Sequence, residues 1–304
     1  MFYKVNHLGA LVAGVCAFGA IRASAAPSVL LNDTFADNER LTQAPPASAH
    51  WFYGAHHDTP GSEFTSLDAS GGALFWDHTN SSNSASFSGT WAHFAPSGSP
   101  VTVGVDEVIR LTFDVTFTGG NFATGNNAFR WSLLDSNGSR VADDFAGQNA
   151  TGLSSGTTFG GWRGYEALLP LSATDPAGTN FRIRERVNSG PGLNTSSEWA
   201  NLGAAVNEPT FADGVTYQGL LEITRTATGV TVRGELAGAS TVTAVDDASA
   251  FTTFDTANFF ILNSNSKDVT LDNVRVEITA VPEPGTVGLG LAGLGLMLAR
   301  RRAR

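Results

Sequence analysis

Cysteine is nearly absent from this chain: its 304 residues include one, Cys16, and that one lies in the first apolar stretch. The rest of the chain can form no disulfide, no thiolate metal site and no cysteine nucleophile. Val15 precedes Cys16 where a lipid-attachment signal wants a small residue, which argues against a lipoprotein. Basic residues are also scarce, 18 against 28 acids, for a net charge of −10. Between residues 26 and 280 the imbalance sharpens to 12 bases against 27 acids, a net of −15. Such a body repels phosphate backbones, so nucleic acid is not expected as a partner. Leucine-rich helical periodicity is also nearly absent. It has no P-loop; one G-x-S-x-G spacing occurs, Gly152 to Gly156, and one G-x-G-x-x-G spacing, Gly288 to Gly293 in the C-terminal apolar run, neither in a strand-to-helix setting, so no catalytic signature emerges from motifs.

What the chain has in plenty is glycine, 34 residues, with Ser, Thr and Asn crowding the segments between short apolar runs. Those runs alternate. Leu111, Phe113, Val115 and Phe117 share one face of Val108 to Thr118, and Arg110, Thr112, Asp114 and Thr116 take the other. Phe129, Trp131 and Leu133 repeat the pattern. Leu221 to Arg225 and Val230 to Arg233 flank a turn ending in Gly229, which reads as a hairpin with glycine at a positive φ. Phe259 to Leu262 reads as a strand buried on both faces, and Val269 to Ile278 as the last strand. About a dozen strands without intervening helices predict an all-β body of two packed antiparallel sheets over residues 26–280. Its first strand, Val29 to Phe35, is expected beside the last, which protects sheet edges.

Both ends read as processing segments. Residues 1–25 carry Lys4, an apolar stretch from Leu8 to Ile21, and Ala23-Ser24-Ala25 as small residues at a cleavage position, the layout of a signal peptide. At the other end, Pro282-Glu283-Pro284 precedes GTVGLGLAGLGLMLA and then Arg300, Arg301, Arg302 and Arg304. Two prolines around one glutamate forbid both helix and sheet pairing and leave an extended segment. As a helix the apolar run of about 15 residues spans about 22 Å, short of a bilayer core of about 30 Å. The arginines would stay cytoplasmic and hold the body outside.

This order of elements over residues 281–304 resembles the PEP-CTERM sorting signal read by exosortases, found mostly in Gram-negative bacteria that make exopolysaccharide. The resemblance implies export through the secretion translocon and a transient inner-membrane anchor through a short transmembrane sorting helix. Cleavage near the PEP motif and passage to the cell surface or extracellular matrix would follow. The strings LLNDTFAD, LLEITRTATGVTVRGEL and VTLDNVRVEIT resemble strands of concanavalin-like jelly rolls, which implies a single antiparallel β-sandwich of that kind.

Jelly rolls commonly bind ligand on the outer face of one sheet. Here the outward positions include Arg110, Asp114, Arg130, Gln218 and Glu222, and Arg182, Arg184 and Arg186 add three arginines at alternate positions. Guanidinium forks pair with carboxylates or sulfates, which points to an acidic polysaccharide; the alternative is a solvated face whose arginines pair with neighbouring acids. Asp33, Asp37 and Glu39 flank the first strand and Asp272 lies on the last, a set that suits structural calcium, although Asp at strand ends is also ordinary turn chemistry. Five of the six histidines, His50, His56, His57, His78 and His93, fall close together without metal-ligand spacing. Five of the six tryptophans, Trp51, Trp76, Trp91, Trp162 and Trp199, sit near Gly- and Ser-rich loops and offer either a sugar-stacking platform or core residues; Trp131 alternates with the core. Glycosidases of this fold carry E-x-D-x-x-E on one strand and alginate-lyase-like jelly rolls carry Q-x-H, and neither string occurs. The expected role is therefore a non-enzymatic surface or matrix protein that engages exopolysaccharide, with a ligand-free coat protein as the alternative and a lyase or hydrolase behind both.

Overall fold

Alternation along the chain builds the core. In the computed structural model, Leu111, Phe113, Val115 and Phe117 point inward and are buried, while Arg110, Thr112, Asp114 and Thr116 between them stay partly open. The structure describes residues 26–56, 66–77, 87–119, 128–144, 159–171, 181–187, 190, 192–193, 198–207, 212–236, 240–262 and 268–280, all within the unit Ala25–Val281. The leader with Ala23 and Ala25, the tail with Pro282, Glu283, Pro284 and Arg300 to Arg302, and His57 and His78 lie outside the described residues.

The described residues form 17 strands and no α-helix. In chain order they are β1 (Ser28–Asp33), β2 (Trp51–His56), β3 (Ser66–Asp68), β4 (Leu74–Asp77), β5 (Phe87–His93), β6 (Val101–Thr102), β7 (Glu107–Thr118), β8 (Ala128–Asp135) and β9 (Arg163–Pro170). They continue as β10 (Phe181–Arg186), β11 (Trp199–Val206), β12 (Thr216–Arg225), β13 (Val230–Leu236), β14 (Ser240–Asp246), β15 (Thr253–Phe254), β16 (Thr256–Leu262) and β17 (Asp268–Ala280).

Two antiparallel sheets form a sandwich. The first has 8 strands, running β14-β13-β12-β7-β17-β4-β3 with β1 also on β17. The second has 7, in the order β11-β10-β9-β8-β16-β5-β2. A short β6–β15 pair makes a third, 2-stranded piece. The first strand does lie beside the last: Ser28 pairs with Ile278 and Asp33 with Val274.

Between the sheets, aromatic rings interlock. Phe113 of the first sheet meets Phe259 at 4.8 Å and Trp131 at 5.6 Å, both from the second, and Phe117 meets Phe129 at 5.3 Å. Edge-to-face contacts of this kind add to the burial of the rings themselves. The Trp131 indole N–H also crosses the core to donate to the Leu220 carbonyl on β12 at 3.0 Å.

The β12–β13 hairpin forms as expected, but Gly229 is not among the residues with positive φ. Glycine is needed there for room: a Cβ at Gly229 would sit 2.1 Å from the Asp246 carbonyl oxygen. The turn is closed by the Thr226 hydroxyl, which accepts from the Gly229 N–H at 3.0 Å. Gly219, opposite Phe113 on β12, is constrained in the same way, because a Cβ would lie 2.1 Å from the Phe113 ring. Overpacking of this kind costs about 1–3 kcal/mol. Gly219→Ala is therefore expected to lower the free energy of unfolding in urea by an amount in that range, whereas Gly71→Ala, which meets nothing within 4 Å, leaves it nearly unchanged.

Candidate functional site

Antiparallel sheets keep one face for the core and leave the other to water, and on the first sheet that outer face is a lattice of polar side chains. Cross-strand register sets its rows. Glu222 on β12 stands opposite Arg110 on β7, which stands opposite Glu277 on β17. Arg110 Nε donates to Glu222 at 2.6 Å, and its Nη1 lies 4.0 Å from Glu277. The Arg110 and Glu222 side chains predicted to be open to ligand thus satisfy one another.

The next rows hold no cross-strand ion pair among the described residues. Thr112, Leu220 and Arg275 align in one row, and Gln218, Asp114 and Asp272 in the next. Between Asp272 and Arg275 the register shifts, and Asn273 occupies the bulge with φ of 51°. The bulge turns Asn273 outward, where its Nδ2 donates to Asp114 Oδ2 at 2.8 Å. Arg275 is held by Glu277 at 2.9 Å and donates to Asn32 on β1 at 3.1 Å. These groups line a shallow groove of about 550 Å³, with Glu235 at one side and Gly219 and Leu220 in its floor. Its volume is in the range of small-ligand sites. Amide, hydroxyl and carboxylate groups around a small apolar floor can donate to and accept from a polyhydroxylated ligand.

Of the predicted residues, the groove brings together Gln218 and the Asp114 carboxylate, and leaves Arg110 and Glu222 in the adjoining ion-paired row. Asn32, Thr112, Glu235, Asn273 and Arg275 were not anticipated. The spacing of buried residues on β17, at 269, 271, 274 and 276, breaks strict alternation and marks the bulge that presents Asn273.

The outer face of the second sheet is different. Arg130, Arg184 and Arg186 do point away from the main core, but they are 4%, 6% and 2% exposed, not a solvated stripe. A second apolar cluster covers part of this face, with Phe52, Trp91, Leu134 and Phe260 from the strands and Val141, Phe159, Trp162 and Leu193 from the intervening segments. Arg184 is ion-paired to Glu166 and lies over Trp199 at 5.4 Å. Arg186 donates to the carbonyls of Phe159 at 3.0 Å and Gly190 at 2.6 Å and pairs with Glu198 at 3.2 Å. Burial draws the Arg186 pKa down to about 10 against the pull of Glu198. Arg130 lies over the Phe260 ring at 5.2 Å, and burial, aided by the Arg184 cation, draws its pKa down to about 9. Arg182 is half-buried beside them.

All six tryptophans are buried, so none offers a sugar-stacking face: Trp51, Trp76 and Trp131 belong to the main core and Trp91, Trp162 and Trp199 to the second cluster. The described histidine side chains have separate partners. His50 stacks on Phe52 at 4.1 Å, His56 ends β2, and His93 reaches the Thr256 hydroxyl at 2.7 Å and the Val141 carbonyl at 3.1 Å. Burial holds the His93 pKa down to about 4. Among the described residues no group of three or more His, Cys, Asp or Glu side chains could hold a metal.

The calcium set is not assembled. Asp33 faces the interior, 1% exposed, and Asp272 faces outward on β17, so the sheet separates them; Asp37 is exposed and accepts from the Glu39 N–H at 3.1 Å. Asp33 instead accepts four hydrogen bonds, from Phe35 N at 2.9 Å, Ser48 Oγ at 3.0 Å, Ala49 N at 3.1 Å and Trp51 Nε1 at 2.9 Å. A carboxylate so occupied ties the segment after β1 to β2.

Residues 280–304 match the family model of the PEP-CTERM protein-sorting motif. No curated protein sequence gives a significant match. Among solved structures, a Bacillus subtilis protein of unknown function with a galectin-like fold is similar at 11% identity and a TM-score of 0.47, over 85% of this chain and 99% of that one. The metal-free carbohydrate recognition domain of Emp46p is similar at 11% identity and a TM-score of 0.44, over 75% and 87%. Metal-free lectin I-B4 from Griffonia simplicifolia is similar at 10% identity and 0.37, over 75% and 92%.

Removing one partner of a buried, charge-assisted network costs about 3 kcal/mol. Asp33→Ala is expected to lose about that much in chemical denaturation, by the same amount with calcium and with EDTA. A loss seen only in calcium would restore the metal site.

Proposed function

We propose that this chain is an exported surface or matrix protein whose β-sandwich associates with extracellular polysaccharide without transforming it. The sorting motif at 280–304 marks the chain for export, a transient membrane anchor and exosortase processing. The leader at 1–25 supplies entry to the translocon, and the body between them is the part delivered. The observation that carries the polysaccharide reading is the groove on the outer face of the first sheet, where Asp114, Gln218, Glu235 and Asn273 ring the Gly219–Leu220 floor. Short polar side chains of both hydrogen-bonding senses over an apolar floor suit sugar hydroxyls and a pyranose ring. A coat protein without a ligand is the second reading, favoured by the mutual pairing of Arg110, Glu222 and Glu277 beside the groove.

Two experiments test this. In co-sedimentation of the full-length chain with the host's exopolysaccharide, the Asp114→Ala, Asn273→Gly double variant is expected to bind about tenfold more weakly or worse, losing two hydrogen-bonding groups, with a nearly unchanged melting temperature, because glycine keeps the positive φ of the bulge. Equal sedimentation of both proteins would favour the coat. For the tail, replacing Pro282, Glu283 and Pro284 by alanine is expected to leave the full-length chain in the inner-membrane fraction on immunoblots. Normal surface release of that variant would remove the exosortase step.

A further inference from the structure

The charged residues that line the groove on the first sheet do not all find partners within it. Arg275 is held by Glu277 at 2.9 Å and donates to Asn32 at 3.1 Å, and Glu235 is ion-paired to Arg233. Asp114 has no such match. Among the described residues it accepts one hydrogen bond, from the neutral Asn273 amide at Oδ2, and forms no ion pair. Its cross-strand neighbour on β17 is a second acid, Asp272, which accepts from the Asn273 N–H at 2.6 Å and is not ion-paired either. On the β12 side stands Gln218, an uncharged amide.

Side chains directly opposite on an antiparallel pair have Cβ atoms about 5 Å apart, and like charges placed so are destabilising. Asp114 and Asp272 stand in that relation, while the nearby Glu222–Arg110–Glu277 row alternates in sign. The unmatched row borders an open groove of about 550 Å³ that both Asp114 and Gln218 line, so a ligand reaches them from solvent. One row away, Leu220 faces outward half-buried beside Thr112 and offers an apolar rest. A uronate or sulfate ester here would add a third negative charge, whereas a ligand that carries a cation relieves the two already present. An ammonium group has three donors and no acceptor, and the Asp114 carboxylate and the Gln218 amide oxygen supply acceptors on one row.

We propose that the groove takes an amino sugar, a pyranose unit with a free protonated amine that pairs with Asp114 beside Asp272 while the ring rests on Leu220. The assignment rests on the polysaccharide reading of the groove and narrows it from polymers of either charge to cationic ones. A lysine side chain also ends in an ammonium group. The polar groups of Asn32, Thr112, Gln218 and Asn273 around the floor suit the hydroxyls of a sugar ring and find no counterpart on a lysine stem.

The test is calorimetric titration of the full-length chain with a linear glucosamine tetramer, its fully N-acetylated counterpart and tetralysine. Physiological ionic strength screens the general field of the acidic body, and mildly acidic pH keeps the proton on the sugar amine. The parent is expected to bind the glucosamine tetramer about tenfold or more tightly than either of the others, the worth of one charge-assisted contact. Asp114→Asn, which keeps an acceptor for Asn273, is expected to bind the two sugars alike. Without ligand it melts at or above the parent, because the repulsion from Asp272 is relieved. Asp37→Asn removes the same charge from an exposed position beyond β1 and keeps the parent's preference. Equal binding of the two sugars by the parent, no binding of either, or tetralysine bound as tightly as the glucosamine tetramer would overturn the assignment. So would an Asp37→Asn loss equal to that of Asp114→Asn, or an Asp114→Asn protein that melts well below the parent. Sedimentation with the host's exopolysaccharide keeps the two ideas apart. If that polymer sediments with the protein through Asp114 and Asn273 while the two sugar tetramers bind alike, the amino-sugar assignment fails and the polysaccharide reading stands. If the glucosamine tetramer binds through Asp114 but the exopolysaccharide does not sediment, that reading fails and the amine subsite stands.

Discussion

The sandwich is organised around one inter-sheet contact, the packing of Phe113 against Trp131 and Phe259 with the Trp131 indole bonded to the Leu220 carbonyl. Ring burial holds sheets together but is non-directional; the indole hydrogen bond adds a direction, fixing the height of β12 over β8. Gly219 lets β12 lie directly on the Phe113 ring. The floor of the groove, Gly219 and Leu220, is thus the outer side of the segment most firmly held from within. Recognition by short side chains requires such a base, because Asp114, Gln218 and Asn273 have little reach of their own.

The same core leaves the two outer faces with different problems. The first sheet carries Thr, Asp, Glu, Arg and Gln outward and meets solvent, with its charges mostly matched in cross-strand rows. The second is partly covered, and its outward arginines lie under an apolar layer built around Trp91, Trp162 and Trp199. Polar groups beneath such a layer must be paired. Arg184 and Arg186 comply through Glu166, Glu198 and backbone carbonyls, while Nε and Nη1 of Arg130 are buried against the Phe260 ring without a hydrogen bond.

Much of the architecture was legible from alternation alone. Val108 to Thr118 separated core from surface residue by residue, Phe259 to Leu262 declared a strand covered on both sides, and the first strand found its place beside the last. Sites were harder to read because they depend on burial that a single strand does not reveal. Arg182, Arg184 and Arg186 point one way, as their spacing says, but nothing local to Phe181–Arg186 discloses the layer above them. The apolar outward residues Trp91 and Phe260 were the available signal, and they lie on other strands. Asp33 misled because a carboxylate beside the last strand suits calcium until its four donors are seen. Asn273 was hidden by the bulge, whose trace is the shifted spacing of Leu271 and Val274. Gly229 was placed in the right turn for the wrong reason, since crowding by Asp246 and not a positive φ demands it.

The central claim is that the groove on the first sheet is the surface that meets polysaccharide, and carboxylate footprinting tests it most directly. Carbodiimide-driven amine coupling to the full-length chain, with and without the host's exopolysaccharide, reads each carboxylate separately by mass spectrometry. The account predicts that the polymer protects Asp114 and Glu235 in the groove while Asp37, exposed beyond β1, reacts as before. Unchanged labelling of Asp114 and Glu235 at polymer concentrations that sediment the protein would contradict it.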